Sequence, residues 1–194
     1  NQNPTKVVGV MISAKWINEK TVVINPKMQN ILTDRGFGES EKDSLILNSF
    51  ETLYLLYNDK LELKKINKSI VFDELMQKYI QKNDDILIQF LLYRDLRTKG
   101  YVVKDGFGFG SDFRVYERGN YGLKDAKFLI FAFNEGTQQK ISKLYKNIEE
   151  ITKMGKEPII AVIERRGEII YYKINKMDFL ENKPEFEMKD FDFN

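Results

Sequence analysis

The chain has 194 residues, of which 42% are hydrophobic and 31% charged, with a formal net charge of +2. This balance is typical of a folded chain with one domain or two small ones, and it excludes an intrinsically disordered protein. The sequence contains no cysteine and no histidine. Disulfides, thiol nucleophiles, Cys/His zinc sites and imidazole acid–base catalysis are therefore excluded within this chain.

No apolar run approaches the roughly 20 residues that a membrane-spanning helix needs. The N-terminus lacks the features of a signal peptide, so we expect a cytoplasmic protein without membrane association. The second half of the chain is mildly basic, and such a charge is compatible with binding to RNA phosphates. An ordinary mixed surface explains the same charge balance more simply.

Residues 1–84 are predicted to form a small α+β domain. Runs rich in Val and Ile indicate strands, and the spacing of apolar residues after Ser44 is typical of a helix that this serine would cap. The predicted elements are strands over 6–13 and 21–25 with Trp16 between them, a loop with a short helix over 27–43, a helix over 44–58, a strand over 61–66 and a helix over 72–81.

Residues 85–182 are predicted to form an α/β domain with a mixed sheet flanked by helices. The first predicted helix ends at Gly100, and the apolar period then changes to two. The remaining elements are strands over 101–104, 111–116, 127–133, 158–163 and 168–175, and a helix from Thr137 to Gly155 between the third and fourth strands. An acidic aromatic tail occupies residues 183–194.

The glycine-rich run DGFGFG at residues 105–110 resembles a phosphate-binding loop only superficially. Its glycine spacing differs from both nucleotide-binding motifs, and no predicted helix follows it. We therefore expect a turn between two strands. Tyr116 and Lys156 lie at the ends of predicted sheet elements, where sites form in α/β folds. Residues of these types at such places are more often simple surface residues, and spacing alone does not bring the two together.

A long stretch of the chain resembles a known family. Residues 93–119 read YRDLRTKGYVVKDGFGFGSDFRVYERG, which resembles the pattern YxDLRxxGY followed by VKxGxxxGxDFxxYxRG of archaeal tRNA-intron splicing endonucleases. The similarity continues through FLIFAF and KEPIIAVIERRGEIIYYKI, and upstream through FETLYLLYNDKLEL and VFDELMQKY. It implies the family's N-terminal domain followed by its nuclease-type catalytic domain.

The resemblance implies cleavage of precursor tRNA at a bulge-helix-bulge fold without a metal or other cofactor. In this family the 2′-hydroxyl attacks the adjacent phosphate, leaving a 2′,3′-cyclic phosphate and a 5′-hydroxyl. Tyrosine is held to be the base, histidine the acid and lysine the stabiliser of phosphorane charge. Tyr116 and Lys156 correspond to the tyrosine and the lysine, whereas Asp125 stands in the histidine position.

Asp125 changes what this site is expected to do. With an ordinary pKa of about 3.9, only ~0.1% of an aspartate is protonated at pH 7. Its charge would oppose the negative charge that develops on the phosphate, and loss of the acid alone is expected to cost about 10²–10⁴ in rate. Burial could raise its pKa and restore an acid. Glu149 and Glu150 lie near the expected place of the family's base-clamping arginine.

We therefore expect a structural subunit that forms a heterotetramer with a catalytic subunit of the same family. By resemblance, Glu135 is the one carboxylate in a short version of the family's acidic docking loop, and the last strand, with Ile169 and Tyr171, would pair with a neighbouring subunit. The alternative for this last strand is an ordinary internal strand that contacts no other subunit. Two other functions stay open: a self-sufficient catalytic homotetramer that uses Tyr116 and Lys156 with a non-histidine acid, and an RNA-binding assembly module.

Overall fold

The computed structural model describes residues 9–134 and 138–174. They divide into two compact units, the first running to Arg94 with Thr98–Gly100, the second comprising Asp95–Arg97 and the chain from Tyr101 onward. Each unit contains a mixed β-sheet with flanking helices, which confirms the predicted fold class. The division falls within a helix, and the predicted boundary between residues 84 and 85 stays a prediction.

The first unit is built on a six-stranded sheet with the order β3-β4-β2-β1-β5-β6. Only β1 and β5 pair in parallel among the described strands of this sheet. The elements are β1 Ile12–Ile17, β2 Lys20–Val23, α1 Pro26–Thr33, β3 Glu39–Glu41, β4 Ser44–Leu47, α2 Ser49–Tyr57, β5 Leu61–Lys65, β6 Lys68–Ile70, α3 Phe72–Ile80 and the start of α4 Ile86–Thr98.

The first strand lies later in the chain than predicted. It begins at Ile12, so Trp16 lies within β1 and not between two strands. Alternate residues of β1 are buried, because the sheet has one face toward the core and one toward solvent. The predicted residues 6–8 lie outside the described part of the chain.

The prediction that Ser44 caps a helix is wrong. Ser44 begins β4, and α2 begins at Ser49 with Asn48 as its cap. The Asn48 side chain accepts from the backbone N–H of Glu51, and the Glu51 carboxylate accepts from the N–H of Asn48, which forms a capping box. The predicted loop over 27–43 contains the helix α1 and the short strand β3, and strand β6 was not predicted.

A carboxylate at the β1–β2 turn fastens the turn to α3. Asn18 and Glu19 both have positive φ angles, as the tight turn requires. The Glu19 carboxylate accepts from Lys78 Nζ at 2.7 Å and from Lys82 Nζ at 3.1 Å. Lys78 Nζ also lies 5.0 Å from the centre of the Trp16 ring. The hydrogen bonds from the two lysines lower the pKa of Glu19 to about 2.

The second unit is built on a five-stranded sheet with the order β11-β10-β9-β8-β7. Its elements, after the end of α4, are β7 Val102–Asp105, β8 Phe113–Tyr116, β9 Phe128–Phe133, α5 Gln138–Lys153, β10 Glu157–Ile163 and β11 Ile169–Lys173. Strands β9 and β10 pair in parallel, with α5 as the connection between them. The order of these elements agrees with the prediction. Thr137 and the tail over 183–194 lie outside the described residues.

Strand β9 forms the centre of the second unit's core. All six of its residues are buried, as the continuous apolar run predicts for a strand covered on both faces. On one face, its Leu129, Phe131 and Phe133 belong to the same buried cluster as Leu144 and Ile148 of α5. No helix in the described ranges combines the length and apolar character needed to cross a membrane.

The run DGFGFG forms the turn between β7 and β8, as predicted, and β8 follows it without an intervening helix. The Gly106 N–H donates to the carbonyl of Asp112, and the Ser111 N–H donates to that of Gly108. A Cβ atom at position 106 would lie 1.9 Å from the Ser111 carbonyl oxygen. Glycine is therefore required there because the backbone passes too close for any side chain.

The ion pairs of Glu19 with Lys78 and Lys82 should make the stability of the first unit depend on pH. Since folding depresses the Glu19 pKa, its contribution is fully present above about pH 4.5 and is lost as the pH falls toward about 2. Glu19→Gln should lower the urea midpoint at pH 7, and the difference from the parent chain should disappear near pH 2. Glu62→Gln, which removes an exposed carboxylate paired with Lys64, controls for net charge. Equal differences at both pH values would contradict the assignment.

Candidate functional site

A pocket opens where the chain enters β9 and β10. Because these strands are parallel and Phe128 is paired with Glu157, the residues that precede both strands meet at the same edge of the sheet. The structure thus brings together Asp125 and Lys156, two of the three predicted catalytic positions. The pocket is lined by Glu117, Lys124, Asp125, Ala126, Lys127, Met154, Gly155 and Lys156.

Lys156 is held against the loop that carries Asp125. Its Nζ donates to the carbonyl oxygen of Ala126 at 2.6 Å. Its backbone N–H donates to Ile151, and Gly155 adopts a φ of +74° to end α5. An ammonium group has three donors, so one serves the protein backbone and two are left for another acceptor. The position of Lys156 is therefore fixed beside residue 125.

Asp125 lies in the loop before β9 and is exposed. Among the described residues, none donates a hydrogen bond to its carboxylate or forms an ion pair with it. The side chain of Asp125 therefore lacks the burial on which the alternative of an aspartic acid as proton donor depends. The arrangement therefore presents a carboxylate, flanked by Lys124, to whatever enters the pocket.

An ion pair closes the loop between β8 and β9. The Glu117 carboxylate accepts from Lys127 Nζ at 2.6 Å and from Asn120 Nδ2 at 2.9 Å. The hydrogen bond from Lys127 lowers the pKa of Glu117, and that to Glu117 raises the pKa of Lys127. Within the loop, the N–H groups of Leu123 and Lys124 donate to the Asn120 carbonyl. The loop that presents Asp125 is thus tied at both ends.

Tyr116 lies at the end of β8 and is partly buried. Its ring contacts Tyr121 edge to face, with a centroid distance of 5.0 Å and an interplanar angle of 87°. Tyr116 is not among the residues that line the pocket, although the next residue, Glu117, is. Its hydroxyl makes no hydrogen bond within the described residues. The structure therefore places Tyr116 next to the pocket in sequence without bringing it into the lining.

The residues predicted for subunit contacts differ in their exposure. Tyr171 is buried, and its hydroxyl donates to the Asp95 carboxylate of α4 at 2.5 Å. Burial and the adjacent Asp95 raise the pKa of Tyr171 well above its usual range. Ile169 is partly exposed and pairs with Ile163 of β10. Among the described strands, theirs, β11, lies at the edge of the sheet, whereas Glu135 lies outside the described residues.

Sequence reasoning missed the Glu117–Lys127 pair and the Tyr116–Tyr121 contact. The antiparallel register that pairs Val115 with Phe128 brings residues 117 and 127 together, so the signal was opposite charges just beyond two adjacent strands. In the ranges 9–134 and 138–174, no group of three or more carboxylates is arranged to hold a metal ion.

Family models match both halves of the chain. The model described as the catalytic C-terminal domain of tRNA intron endonuclease matches residues 86–171, and the model of the N-terminal domain matches residues 16–76. The pocket and the residues that tie its loop lie within the first of these ranges. The order of the two matches is the order of the two structural units along the chain.

Curated relatives are similar over most of the chain. The tRNA-splicing endonuclease of Methanococcus vannielii is 32% identical over 164 residues, which cover 84% of this chain and 93% of the relative. That of Thermococcus onnurineus is 32% identical, covering 75% and 84%, and that of Pyrococcus horikoshii is 27% identical, covering 78% and 88%. With both domain models matched in order, the chain belongs to the tRNA intron endonuclease family.

Proposed function

We propose that this chain is the structural subunit of a tRNA-splicing endonuclease and supports excision of introns from precursor tRNA without a complete catalytic set of its own. The observation that carries the proposal is Asp125, an exposed carboxylate where the chemistry needs a proton donor. Membership of the family supports the precursor tRNA substrate, since the relatives are tRNA-splicing endonucleases.

The proposed chemistry requires three groups around one phosphate. A base takes the proton of the attacking 2′-hydroxyl, an acid protonates the leaving 5′ oxygen, and a cation stabilises the phosphorane, with no metal ion required. Lys156 could supply the cation from its two remaining donors. Asp125 as a carboxylate has no proton to give, and its negative charge would raise the energy of a phosphorane next to it.

Two of the three lysines that line the pocket also form bonds within the protein, which further supports a structural role. Lys127 is paired with Glu117, and Lys156 donates to the Ala126 carbonyl. Glu117 and Asp125 place two carboxylates in the same lining. In this reading, Lys156 and Tyr116 are positions inherited from a catalytic ancestor that now hold the loop and pack the end of β8.

The partner in this proposal is a catalytic subunit of the same family within a heterotetramer. Strand β11 offers an edge for pairing, because its sequence IIYYK contains no proline and is mainly apolar. An edge strand of this kind is a template for another strand. The bond between Tyr171 and Asp95 fixes β11 to α4, while Ile169 stays partly exposed for contact.

Two other functions compete with this proposal. A self-sufficient enzyme is favoured by the retention of Tyr116 and Lys156, and would need a non-histidine acid in place of Asp125. An RNA-binding assembly module would hold RNA and would support no cleavage in any mixture. Both alternatives predict outcomes that differ from those below.

The first prediction concerns cleavage by the isolated chain. In EDTA, the chain alone should cut a bulge-helix-bulge RNA at least about 10² more slowly than its mixture with a histidine-containing family subunit from the same source, because the acid is missing. The products of the mixture should carry 2′,3′-cyclic phosphate ends. Comparable rates for the chain alone would support the self-sufficient enzyme, and no cleavage in either sample would support the RNA-binding module.

The second prediction concerns Tyr116. In the mixture, Tyr116→Phe in this chain should leave the single-turnover cleavage rate within about twofold, whereas loss of a catalytic base costs about 10²–10⁴. The matched control is the same change at the corresponding tyrosine of the catalytic subunit, which should abolish cleavage. A large loss from Tyr116→Phe in this chain would make it a catalytic residue and would contradict the structural role.

The third prediction concerns the edge of β11. Ile169→Lys should raise the dissociation constant for the catalytic subunit by about tenfold or more, because a lysine on an edge strand disfavours pairing with another strand. Sedimentation velocity measures the change. Ile141→Lys alters another exposed isoleucine, on α5, and should leave assembly intact. Equal affinity for both variants would remove β11 from the interface.

A further inference from the structure

A groove in the first unit lies at the end of the sheet where β1 and β5 begin and where α3 starts. Its volume is about 570 Å³, which is within the range of sites that hold a ligand or a short peptide segment. Most of its lining is apolar, and the rest is mainly acidic. The lining includes Met11, Asp59, Glu62, Val71, Phe72 and Asp73, and we call this surface the first-unit groove.

Apolar side chains are exposed along the first-unit groove. Met11 is 50% exposed and Val71 is 58% exposed, and Phe72 is partly exposed. The Phe72 ring is held by contacts with the rings of Tyr57 and Phe90, at centroid distances of 5.7 and 5.3 Å. Exposed apolar side chains that lie together are typical of a contact surface for another molecule. Because its aromatic residue is already held in place, this surface is formed before any partner binds.

Val71 occupies an unusual position for an apolar residue. It is the N-cap of α3, where serine, threonine, aspartate and asparagine are favoured. Its backbone is extended, with φ −100° and ψ 165°, as an N-cap requires, but its side chain makes no capping hydrogen bond. The exposed valine therefore neither caps the helix nor contributes to the core. Contact with another molecule would bury this side chain, which the fold of the first unit does not.

The charges of the first-unit groove are all negative. Asp59, Glu62 and Asp73 are exposed, and the lining contains no lysine or arginine. Glu62 is paired with Lys64. The carboxylates of Asp59 and Asp73 accept no hydrogen bond and form no ion pair within the described part of the chain. RNA gains nothing from such a surface, because its affinity depends on cations that pair with phosphates. The charges therefore favour a basic partner.

The start of β5 has backbone that β6 does not pair. Strand β5 begins at Leu61, whereas its pairing with β6 extends only from Leu63 to Lys65. Among the described strands, Leu61 and Glu62 thus have no partner on the β6 side, and both line the first-unit groove. An extended segment is the conformation that pairs with unpaired strand backbone. The groove therefore offers backbone groups as well as apolar and acidic side chains.

We propose that the first-unit groove binds an extended segment of a partner protein in which lysine or arginine alternates with apolar residues. Alternation suits the groove because successive side chains of an extended segment point to opposite sides. The basic residues pair with Asp59 and Asp73, and an apolar residue covers Val71. The occupant follows from charge complementarity. This inference is independent of the proposed function, because every residue that it uses lies in the first unit.

Fluorescence anisotropy with two labelled peptides tests the charge requirement. The basic probe is Gly-Val-Lys-Val-Arg-Val-Gly, and its counterpart has glutamate in place of both basic residues. The full chain should bind the basic probe at least about tenfold more tightly, and raising the salt from about 0.05 to 0.5 M should weaken this binding. Bulge-helix-bulge RNA should not displace the probe.

A charge variant locates the binding within the groove. Asp59 has a φ of +53°, a conformation that asparagine also adopts readily, so Asp59→Asn removes the charge without straining the backbone. It should weaken binding of the basic probe by about threefold or more. Asp43→Asn removes an exposed carboxylate from the turn between β3 and β4, and it should leave the affinity unchanged.

A second variant separates binding from stability. Val71→Ser supplies the missing cap of α3, so it should raise the urea midpoint of the chain. It should also weaken binding of the basic probe by about fivefold, because the apolar contact is lost. Effects in these opposite directions cannot come from partial unfolding.

Several results would overturn the proposal. They are no binding of the basic probe, equal affinity for both peptides, displacement of the probe by RNA, and unchanged affinity in Asp59→Asn or in Val71→Ser. Self-association of the parent chain that Val71→Ser abolishes, measured by sedimentation velocity, would assign the groove to a second copy and would equally overturn it. The cleavage assays that test the proposed function do not depend on any of these results.

Discussion

The parallel pairing of β9 with β10 is the constraint on which the candidate site depends. It aligns Phe128 with Glu157, so the residues before both strands meet although β9 and the whole of α5 separate them in sequence. The pairing is stabilised by the apolar face of α5, which belongs to the buried cluster with β9. The bond from Lys156 to the Ala126 carbonyl follows directly from that alignment. Without this pairing, Asp125 and Lys156 would not line the same pocket.

The geometry of the pocket and its chemistry are separable. The Glu117–Lys127 pair and the Lys156 bond hold the loop in place whatever residue occupies position 125. The geometry of the loop therefore does not decide whether the site contains an acid. The chemical nature of the side chain at position 125 decides it. A change of this one side chain can therefore remove the acid step and leave the architecture unchanged. This separation is what makes a structural subunit with a complete fold physically reasonable.

The sequence was a better guide to the second unit than to the first. The long apolar run of β9 and the strict helical spacing of α5 leave one interpretation, and they are the elements that build the pocket. In the first unit, Ser44 and Asn48 are both good caps, and the apolar residues between them fit a strand or a helix. Contacts such as those of Glu117 and Tyr121 depend on strand register, which local patterns do not specify. Pairing within the sheet, and not local propensity, decides both the conformation of the segment after Ser44 and these contacts.

The pocket lies at one end of the second unit's sheet. The pocket is at the beginning of β9 and β10, where Ala126 and Lys156 meet, and Phe133 pairs with Val162 at their far end. A substitution in the loop before β9 therefore leaves the far end untouched. Strand β11 is fixed to α4 through Tyr171 and does not rely on the pocket either. Loss of the acid at one end of the sheet is therefore compatible with an intact edge strand for the proposed pairing.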